Sequence, residues 1–261
     1  MFLFPITEEE LIKISKTLKN NVTPGIDMIS SKILKILIDV LAKPLAHIFN
    51  LSFLYGIFPK KLKFAIIKPV YKSGDKNNMS NYRPISLLSN VSKLLEKCIK
   101  IRLINFLEKF NIISENQFGF RNKLSTDDAI FKVTKKIIEE LDAGNKCLGI
   151  FLDIKKAFDT VNHKILLEKL YILGIRGNAY NLIESYLNDR KQITKIDAYF
   201  SDAFNINIGV PQGTVLGPIL FLIYINDLLT IDLKKYNGVL YSYADDTVVL
   251  FGGKNWEHTY I

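Results

Sequence analysis

The chain has 261 residues, of which 48% are apolar, so it can bury a substantial core, and this excludes an intrinsically disordered protein. Its two cysteines exclude a disulfide framework, and the opening MFLFP is too short for a signal peptide. The longest apolar run, Val215–Ile225, is too short to span a membrane. We therefore expect an intracellular protein that has no membrane partner, or a piece of such a protein.

The net charge of +9 is concentrated in one part of the sequence. Residues 59–102 hold eleven basic and two acidic side chains, a balance of +9, so the rest of the chain is neutral. A concentrated basic region favours a polyanionic partner such as nucleic acid or nucleotide phosphates. For Lys93–Arg102, the solvated face of a helix explains the charges equally well.

The first half of the sequence alternates helical patterns with turn-like segments. Thr7 and Glu10 have the spacing of a capping box, which predicts a helix that ends near Asn20–Asn21. A strand is predicted at Phe64–Lys72, followed by a polar loop over 73–81. Further helices are predicted at Ser30–Tyr55 (as two helices separated near Lys43–Pro44), Asn90–Phe110 and Thr126–Leu141.

The second half contains a long strand-like run. Cys147–Ile154 is almost continuously apolar, which is typical of a buried central strand. The other predicted elements are helices at His163–Leu173 and Asn178–Asn188, strands at Gln192–Tyr199 and Ala203–Gly209, and a buried helix at Val215–Leu229. This mixture predicts an α+β fold in which helices pack on an antiparallel sheet.

The segment 241–251, YSYADDTVVLF, places two adjacent aspartates between strand-like residues. Successive side chains of a strand point to opposite faces, and aspartate is rarely buried without a partner. A hairpin turn at Ala244–Thr247 with both carboxylates in water explains the pair by itself. A turn also lets Asp245 and Asp246 point the same way, so they can serve one site if other residues converge on it.

Asp153 closes the apolar strand, and Phe158 and Asp159 follow five and six residues later. Alone, Asp153 is explained as a strand-end or helix-capping residue. If its strand lies beside the hairpin, carboxylates about 4 Å apart repel by about 4 kcal/mol at an effective dielectric constant of about 20. A divalent cation converts this repulsion into coordination, and oxygen ligands without His or Cys suit Mg²⁺ or Mn²⁺ rather than zinc.

A third segment, GVPQGTVLGPILF at 209–221, begins the predicted apolar helix with a turn rich in glycine and proline. Its glycines let the backbone approach another molecule closely, and Gln212 can both donate and accept hydrogen bonds. Such a turn is common by itself. Its place between the aspartate strand and the aspartate hairpin makes it a candidate part of the same site.

In this order, FLDIKKAFD, GVPQGTVLGPILF and YADD resemble the three core palm motifs of reverse transcriptases. TPGID (23–27), NYRPISLLS (81–89) and QFGFR (117–121) resemble additional fingers segments of the non-LTR retrotransposon branch, to which group II intron enzymes are related. The resemblance covers essentially the whole chain. It implies a right-hand polymerase fold over 1–261, with fingers mainly at 20–145 and a palm mainly at 146–261 with part of 90–115. The thumb and endonuclease domain of the family have no counterpart in this sequence, so we expect a fragment of a longer chain.

The resemblance also implies a function, which is RNA-directed DNA polymerisation on an RNA template, from dNTPs to the 3′-OH of a DNA primer. Asp153 and Asp245 would hold two Mg²⁺ ions, or Mn²⁺, and Asp246 would complete the catalytic cluster less directly. Phe158 would pack under the sugar and exclude a ribose 2′-OH. The other nucleotide-binding positions implied by the resemblance are Gln212, Arg83, Arg121 and Lys72, of which the two arginines contact the triphosphate or the template.

Three alternatives remain open at the level of sequence. A remnant of the same fold could bind nucleic acid without catalysis. Another two-metal carboxylate enzyme, such as a nuclease, would explain the aspartates but neither GVPQG nor Phe158. An RNA-templated RNA polymerase usually places a second aspartate where this chain has Phe158, so the use of dNTPs or rNTPs distinguishes it.

Overall fold

A computed structural model of the chain describes residues 1–20 and 23–256. Within these residues the helices are α1 (Glu8–Lys16), α2 (Ser31–Tyr55), α3 (Asn90–Lys109), α4 (Thr126–Asp142), α5 (His163–Ile172), α6 (Asn178–Leu187) and α7 (Gly217–Ile225). The strands are β1 (Phe64–Tyr71), β2 (Tyr82–Leu88), β3 (Lys146–Leu152), β4 (Arg190–Ile196), β5 (Tyr199–Phe200), β6 (Phe204–Ile206), β7 (Gly238–Tyr243) and β8 (Asp246–Gly253). The predicted combination of helices with an antiparallel sheet is confirmed.

Most predicted elements agree with the structure to within a few residues. The hydroxyl oxygen of Thr7 accepts a hydrogen bond from the Glu10 N–H at 3.1 Å and caps α1, as predicted. The helix ends at Lys16, before the predicted end near Asn20–Asn21, of which Asn21 lies outside the described residues. The two strands predicted after α6 are three shorter ones, β4, β5 and β6.

The helix α2 runs for 25 residues without interruption, so the prediction of two helices near Lys43–Pro44 is wrong. Pro44 lacks the N–H that would bond to the carbonyl of Val40, but both residues are exposed, and water can reach that carbonyl. A buried stripe continues on the other side through Leu34, Ile38, Ala42, Ala46, Phe49 and Phe53. By length and composition alone α2 could cross a membrane, a property that core helices share.

The chain forms two compact units. The first unit contains Met1–Lys109 and Phe158–Leu220, and the second contains Phe110–Ala157 and the chain from Phe221 onward. These units do not follow the predicted ranges of fingers and palm, since the second unit also holds α4. The division into fingers and palm therefore stays a prediction.

The first unit contains a mixed sheet. β1 pairs antiparallel with β2 and parallel with β4, which pairs antiparallel with β5 and β6. The long helices α1, α2 and α3 pack on one another, and α6 packs on α2. Arg83 lies in β2, and Lys72 directly follows β1. The sheet therefore supports two of the candidate nucleotide-binding residues.

The second unit contains a three-stranded antiparallel sheet in the order β3, β8, β7. Its core includes Leu229, Leu240 and Val249, and α4 packs on all three strands. The prediction that Cys147–Ile154 is a buried central strand is wrong, because among residues 1–20 and 23–256 β3 pairs only with β8, and Phe151 is 81% exposed. An apolar run predicts a strand, but it does not reveal which neighbours cover that strand.

The two cysteines differ in burial, and this difference can be tested by the reactivity of their thiols. Cys98 in α3 is fully buried, and burial raises the pKa of its thiol to about 12, whereas Cys147 in β3 is only partly buried. Because the thiolate is the reactive form, we expect one thiol to react with a disulfide reagent at pH 8 and the second to react only after denaturation. The absorbance of the thiolate that the reagent releases gives the number of reactive thiols before and after denaturation. Two fast thiols in the folded protein would contradict the packing of α3.

Candidate functional site

The pairing of β3 with β8 brings the predicted carboxylates to one end of one sheet. Leu152 is the partner of Thr247 in this antiparallel ladder. Asp153 comes directly after Leu152, and Asp246 comes directly before Thr247, so both lie where the two strands leave the same edge. The hypothesis that the apolar strand lies beside the aspartate hairpin is confirmed.

The hairpin turn is shorter than predicted. Tyr243 pairs with Asp246, so the loop consists of Ala244 and Asp245, while Asp246 and Thr247 already belong to β8. Ala244 has φ +60°, in the left-handed region. The adjacent aspartates therefore differ in environment, since Asp245 lies in a two-residue turn and Asp246 begins a strand.

The chemistry of these donors fits a divalent cation. Asp153 and Asp246 are exposed and Asp245 is partly buried, so all three carboxylates are accessible to solvent. Hard oxygen donors of this kind suit Mg²⁺ or Mn²⁺. Over residues 1–20 and 23–256, no three His, Cys, Asp or Glu side chains are grouped so closely that they could hold a metal ion. The sheet thus collects the donors without assembling a finished coordination shell.

The segment 117–121, QFGFR, contacts this turn. The side chain of Gln117 is buried, and its Oε1 accepts the Ala244 N–H at 2.9 Å. Arg121 lies at the other end of the segment, and its Nη1 donates to the carbonyl oxygens of Ser114 at 2.9 Å and Gln117 at 3.3 Å. The Arg121 guanidinium therefore bonds to the backbone of its own loop. Its role toward a triphosphate or template stays a prediction.

In the first unit, the structure brings Phe158 and Gln212 together. The Val210 N–H donates to the Phe158 carbonyl at 2.8 Å, and the Gln212 amide donates to Asp159 Oδ1 at 2.9 Å. Both Phe158 and Gln212 are partly buried, so each side chain keeps an exposed part. Two of the predicted nucleotide-binding residues, more than fifty positions apart in sequence, thus form one cluster.

Gly209 lies directly against the segment that follows Phe158. Its N–H donates to the Val161 carbonyl at 2.8 Å, and its carbonyl accepts from Nε2 of His163 at 2.7 Å. Its φ is +85°, and a Cβ at this position would lie 2.7 Å from the Asp159 carbonyl oxygen. Only glycine satisfies both conditions, which gives a structural reason for the first residue of the GVPQG turn.

The same turn lies against β2. The Ser86 N–H donates to the Gln212 carbonyl at 2.8 Å. Arg83 lies three residues earlier in β2 and is exposed, opposite Val70 of β1. Lys72 directly follows β1, and its N–H donates to the Asn81 carbonyl at 2.9 Å, immediately before β2 begins. The predicted cations Arg83 and Lys72 therefore extend from one strand pair.

The buried carboxylate of Glu96 bonds to the backbone that joins the GVPQG turn to α7. Oε2 of Glu96 accepts the N–H groups of Val215 and Leu216 at 2.8 and 3.1 Å, immediately before α7. Burial raises the pKa of the Glu96 carboxyl, while the positive charge of Arg190 and the two N–H donors act in the opposite direction. Glu96 thus supplies acceptors to N–H groups at the start of the helix.

A family model described as "Reverse transcriptase (RNA-dependent DNA polymerase)" matches residues 72–259, which is more than half of the chain. The chain belongs to the reverse transcriptase family. This membership agrees with the resemblance of its three core motifs.

This reverse transcriptase chain is similar to polymerases of insect mobile elements. It is 35% identical over 254 residues to a probable RNA-directed DNA polymerase from transposon BS of Drosophila melanogaster. It is 33% identical over 258 residues to the RNA-directed DNA polymerase from mobile element jockey of the same species. The matches cover 95% and 97% of this chain but 28% of each relative, so the chain spans less than a third of their length.

Solved telomerase structures share the fold of this reverse transcriptase. Apo telomerase of Candida tropicalis superposes with a TM-score of 0.55 at 16% identity, over 90% of this chain and 53% of that chain. Telomerase of Candida albicans in complex with a fragment of telomeric RNA gives a TM-score of 0.53 at 15% identity, over 81% of this chain and 42% of that chain. At these identities the similarity concerns the fold, and it confirms the predicted polymerase fold.

Two of the buried side chains that hold the motifs of this reverse transcriptase, Gln117 and Glu96, were not predicted from the sequence. Gln117 belongs to QFGFR, in which only Arg121 was predicted as a site residue, because an arginine can bind phosphate. Glu96 is one of two acids in the basic stretch 59–102, and this isolation is the only signal in the sequence. In each case the partner is a backbone group more than a hundred residues away.

Proposed function

We propose that this chain is part of an RNA-directed DNA polymerase of a non-LTR retrotransposon, which transfers nucleotides from dNTPs to the 3′-OH of a DNA primer on an RNA template. The observation that carries the proposal is the strand register that brings Asp153, Asp245 and Asp246 to one end of one sheet. A binding module needs no such collection of carboxylates. Membership of the reverse transcriptase family supports the same reaction.

In this proposal Asp153 and Asp245 hold divalent cations, Mg²⁺ or Mn²⁺, and Asp246 completes the donor set. When bound, such cations lower the pKa of the attacking hydroxyl and offset charge on the triphosphate. The protein contributes the position of the carboxylates at the ends of β3 and β8. Phosphoryl transfer of this type depends on positioning and electrostatics and requires no nucleophilic side chain.

The residues of the first unit are assigned to the nucleotide and the template. Arg83 and Lys72 offer positive charge to phosphate groups, and Gln212 contacts the incoming nucleotide. Arg121, which belongs to the second unit, is also proposed for the triphosphate or the template, in addition to its contacts within its own loop. Two cations of the basic stretch have structural partners instead, since Lys63 bonds to the Asn188 carbonyl and Arg102 pairs with Glu10.

The exposed cations of the stretch 59–102 are the proposed surface for the nucleic-acid backbone. They are Lys60, Lys61, Lys68, Lys72, Lys76 and Arg83. Contacts with phosphates release counterions, so template binding should weaken steeply as salt is raised. We also propose an intracellular location, where such templates occur.

Phe158 provides a test of substrate choice. An apolar ring packed under the sugar cannot bond to a 2′-OH and leaves no room for it, so Phe158→Ala should increase the use of rNTPs relative to dNTPs. We expect a change of about tenfold to a hundredfold, the range over which a pocket wall discriminates a hydroxyl group. The measurement is the ratio of kcat/KM for dGTP and GTP in single-nucleotide extension. Phe200→Ala, which removes an exposed ring from β5, is the matched control, and an unchanged ratio at Phe158 would remove it from this role.

The proposed function is tested by primer extension on an RNA template, with dNTPs and rNTPs in parallel and with Mg²⁺ or Mn²⁺. Metal-dependent incorporation of dNTPs is the expected result. Preferential incorporation of rNTPs would indicate an RNA polymerase, and cleavage of the template would indicate a nuclease. Retained template binding without incorporation would favour a nucleic-acid-binding remnant.

A further inference from the structure

The side-chain amide of Gln117 bonds to both the backbone N–H and the backbone carbonyl of Ala244, in the turn of the aspartate hairpin. We infer that Gln117 is a positioning residue, which holds Ala244 in its left-handed conformation and thereby presents the Asp245 and Asp246 carboxylates to a divalent cation. The inference rests on the proposed function, because it assigns Gln117 a part in the same metal site.

The contacts of Gln117 account for both polar groups of its side chain. Oε1 accepts the Ala244 N–H at 2.9 Å and the Gly119 N–H at 2.8 Å. Nε2 donates to the Ala244 carbonyl at 3.3 Å. The Gln117 residue is 1% exposed, so water does not replace these bonds. One side chain therefore satisfies the backbone N–H and the backbone carbonyl of Ala244 together.

The turn needs such support because of its sequence. A two-residue hairpin loop with positive φ ordinarily contains Gly, Asn or Asp, which adopt that conformation at little cost. Here the residue with φ +60° is Ala244, and a left-handed conformation costs a residue with a Cβ roughly 1–2 kcal/mol. The hydrogen bonds from Gln117 offset this cost, and they do so only in the observed conformation.

The backbone of the same segment reinforces the contact. The Phe118 N–H donates to the Ser242 carbonyl at 2.8 Å, and the Ser242 N–H donates to the Asn116 carbonyl at 2.9 Å, so residues 116–118 run along β7 toward the turn. Gly119 then lies directly on Ala244, and a Cβ at position 119 would come within 2.2 Å of the Ala244 nitrogen. Glycine is required for this approach.

The consequence for the carboxylates follows from chain connectivity. Asp245 comes immediately after Ala244, so the φ and ψ angles of Ala244 set the direction of the Asp245 side chain. The three carboxylates do not form a finished shell, and a cation must bring them together against their mutual repulsion. A fixed turn reduces the conformational entropy lost in that step, and loss of the contact should weaken cation binding.

The test is the binding of Mn²⁺ to the chain alone, followed by the loss of the free Mn²⁺ signal in electron paramagnetic resonance. Gln117→Met keeps the length of the side chain and removes both polar groups. The variant loses all three hydrogen bonds of the side chain, and loss of the two that hold Ala244 should raise the half-saturating Mn²⁺ concentration by about tenfold. Glu115→Gln, an exposed change two residues away, is the control and should bind Mn²⁺ as the wild type does.

A second variant separates the clamp on Ala244 from the folding of the loop. In Gln117→Asn the shorter amide can still accept the Gly119 N–H, as in an Asx turn, but it is one methylene too short to contact Ala244. We expect Gln117→Asn to weaken Mn²⁺ binding about as much as Gln117→Met, while circular dichroism at the temperature of the binding measurement shows that the variant is still folded. A purely structural Gln117 would lower stability and leave the half-saturating Mn²⁺ concentration of folded Gln117→Asn unchanged, which would overturn the inference.

Asp245→Asn distinguishes this failure from failure of the proposed function. If Mn²⁺ binding depends on Asp245 but is unchanged in both Gln117 variants, the metal site stands and the positioning role falls. If Mn²⁺ binding is the same in the wild type and in Asp245→Asn, the metal assignment falls, and the positioning role falls with it.

Discussion

Asp245→Asn is expected to abolish metal-dependent primer extension while the chain still folds and still binds its template. The change removes one charged oxygen ligand and keeps the shape of the side chain. A metal ligand contributes several kcal/mol to the stabilisation of transition-state charge, so a rate loss of about a thousandfold or more is expected, equivalent to about 4 kcal/mol. The measurement is single-turnover extension of a primer on an RNA template with saturating dNTPs and Mg²⁺.

The neighbouring aspartates serve as comparisons for this variant. Asp153→Asn should lose as much activity, because Asp153 ends β3 at the same edge of the sheet. Asp246→Asn should lose less, since its carboxylate completes the donor set less directly. Asp227→Asn, a change of the same type in the second unit outside the strands, is the matched control. Extension by Asp245→Asn at the wild-type rate would show that this carboxylate holds no catalytic cation.

The aspartate hairpin was predictable because its information is local. Adjacent aspartates conflict with the alternation of a strand, and a turn resolves the conflict within a few residues. Its position beside the strand before Asp153 was only a hypothesis, because two acidic elements repel each other unless a cation is shared between them. The detail was not, because Ala244 has no sequence signature of a positive φ, and the turn was therefore predicted two residues too long.

The contacts that hold the motifs could not be predicted from sequence. Gln117 and Ala244 are separated by 127 positions, and Glu96 and Val215 by 119. Each pair joins a side chain to a backbone group, and a backbone group leaves no mark in the sequence. At Pro44 the error was of the opposite kind, because a strong local signal led to a wrong prediction. Proline favours a helix break, but the buried apolar stripe on both sides of it keeps α2 continuous.

Loss of the Glu96 carboxylate should destabilise the fold strongly. It is fully buried in α3, and its carboxylate accepts the N–H groups of Val215 and Leu216 and the hydroxyl of Ser92. Its negative charge also acts on Arg190, which is 1% exposed, and whose Nε and Nη2 atoms have no hydrogen-bond partner among the described residues. Glu96→Ala would leave the N–H groups without acceptors and the Arg190 charge without an offset.

A buried N–H that loses its acceptor costs about 1–3 kcal/mol, and Glu96→Ala leaves two of them, so we expect the free energy of unfolding to fall by about 3–5 kcal/mol. Urea denaturation followed by circular dichroism measures it. Glu108→Ala lies in the same helix and is exposed, so the same substitution there should change stability by about 0.5 kcal/mol or less.

Glu96→Gln separates two contributions of the carboxylate to stability, which are its hydrogen bonds and its negative charge. The glutamine oxygen can still accept the N–H groups of Val215 and Leu216, and its amide can donate to the Ser92 hydroxyl, but it brings no charge to Arg190. We expect this variant to lose about 1–2 kcal/mol, clearly less than Glu96→Ala, because the acceptors before α7 are kept. Equal losses in the two variants would mean that the charge on Arg190 dominates. Glu96 would then stabilise the buried arginine first and the GVPQG turn only as a consequence.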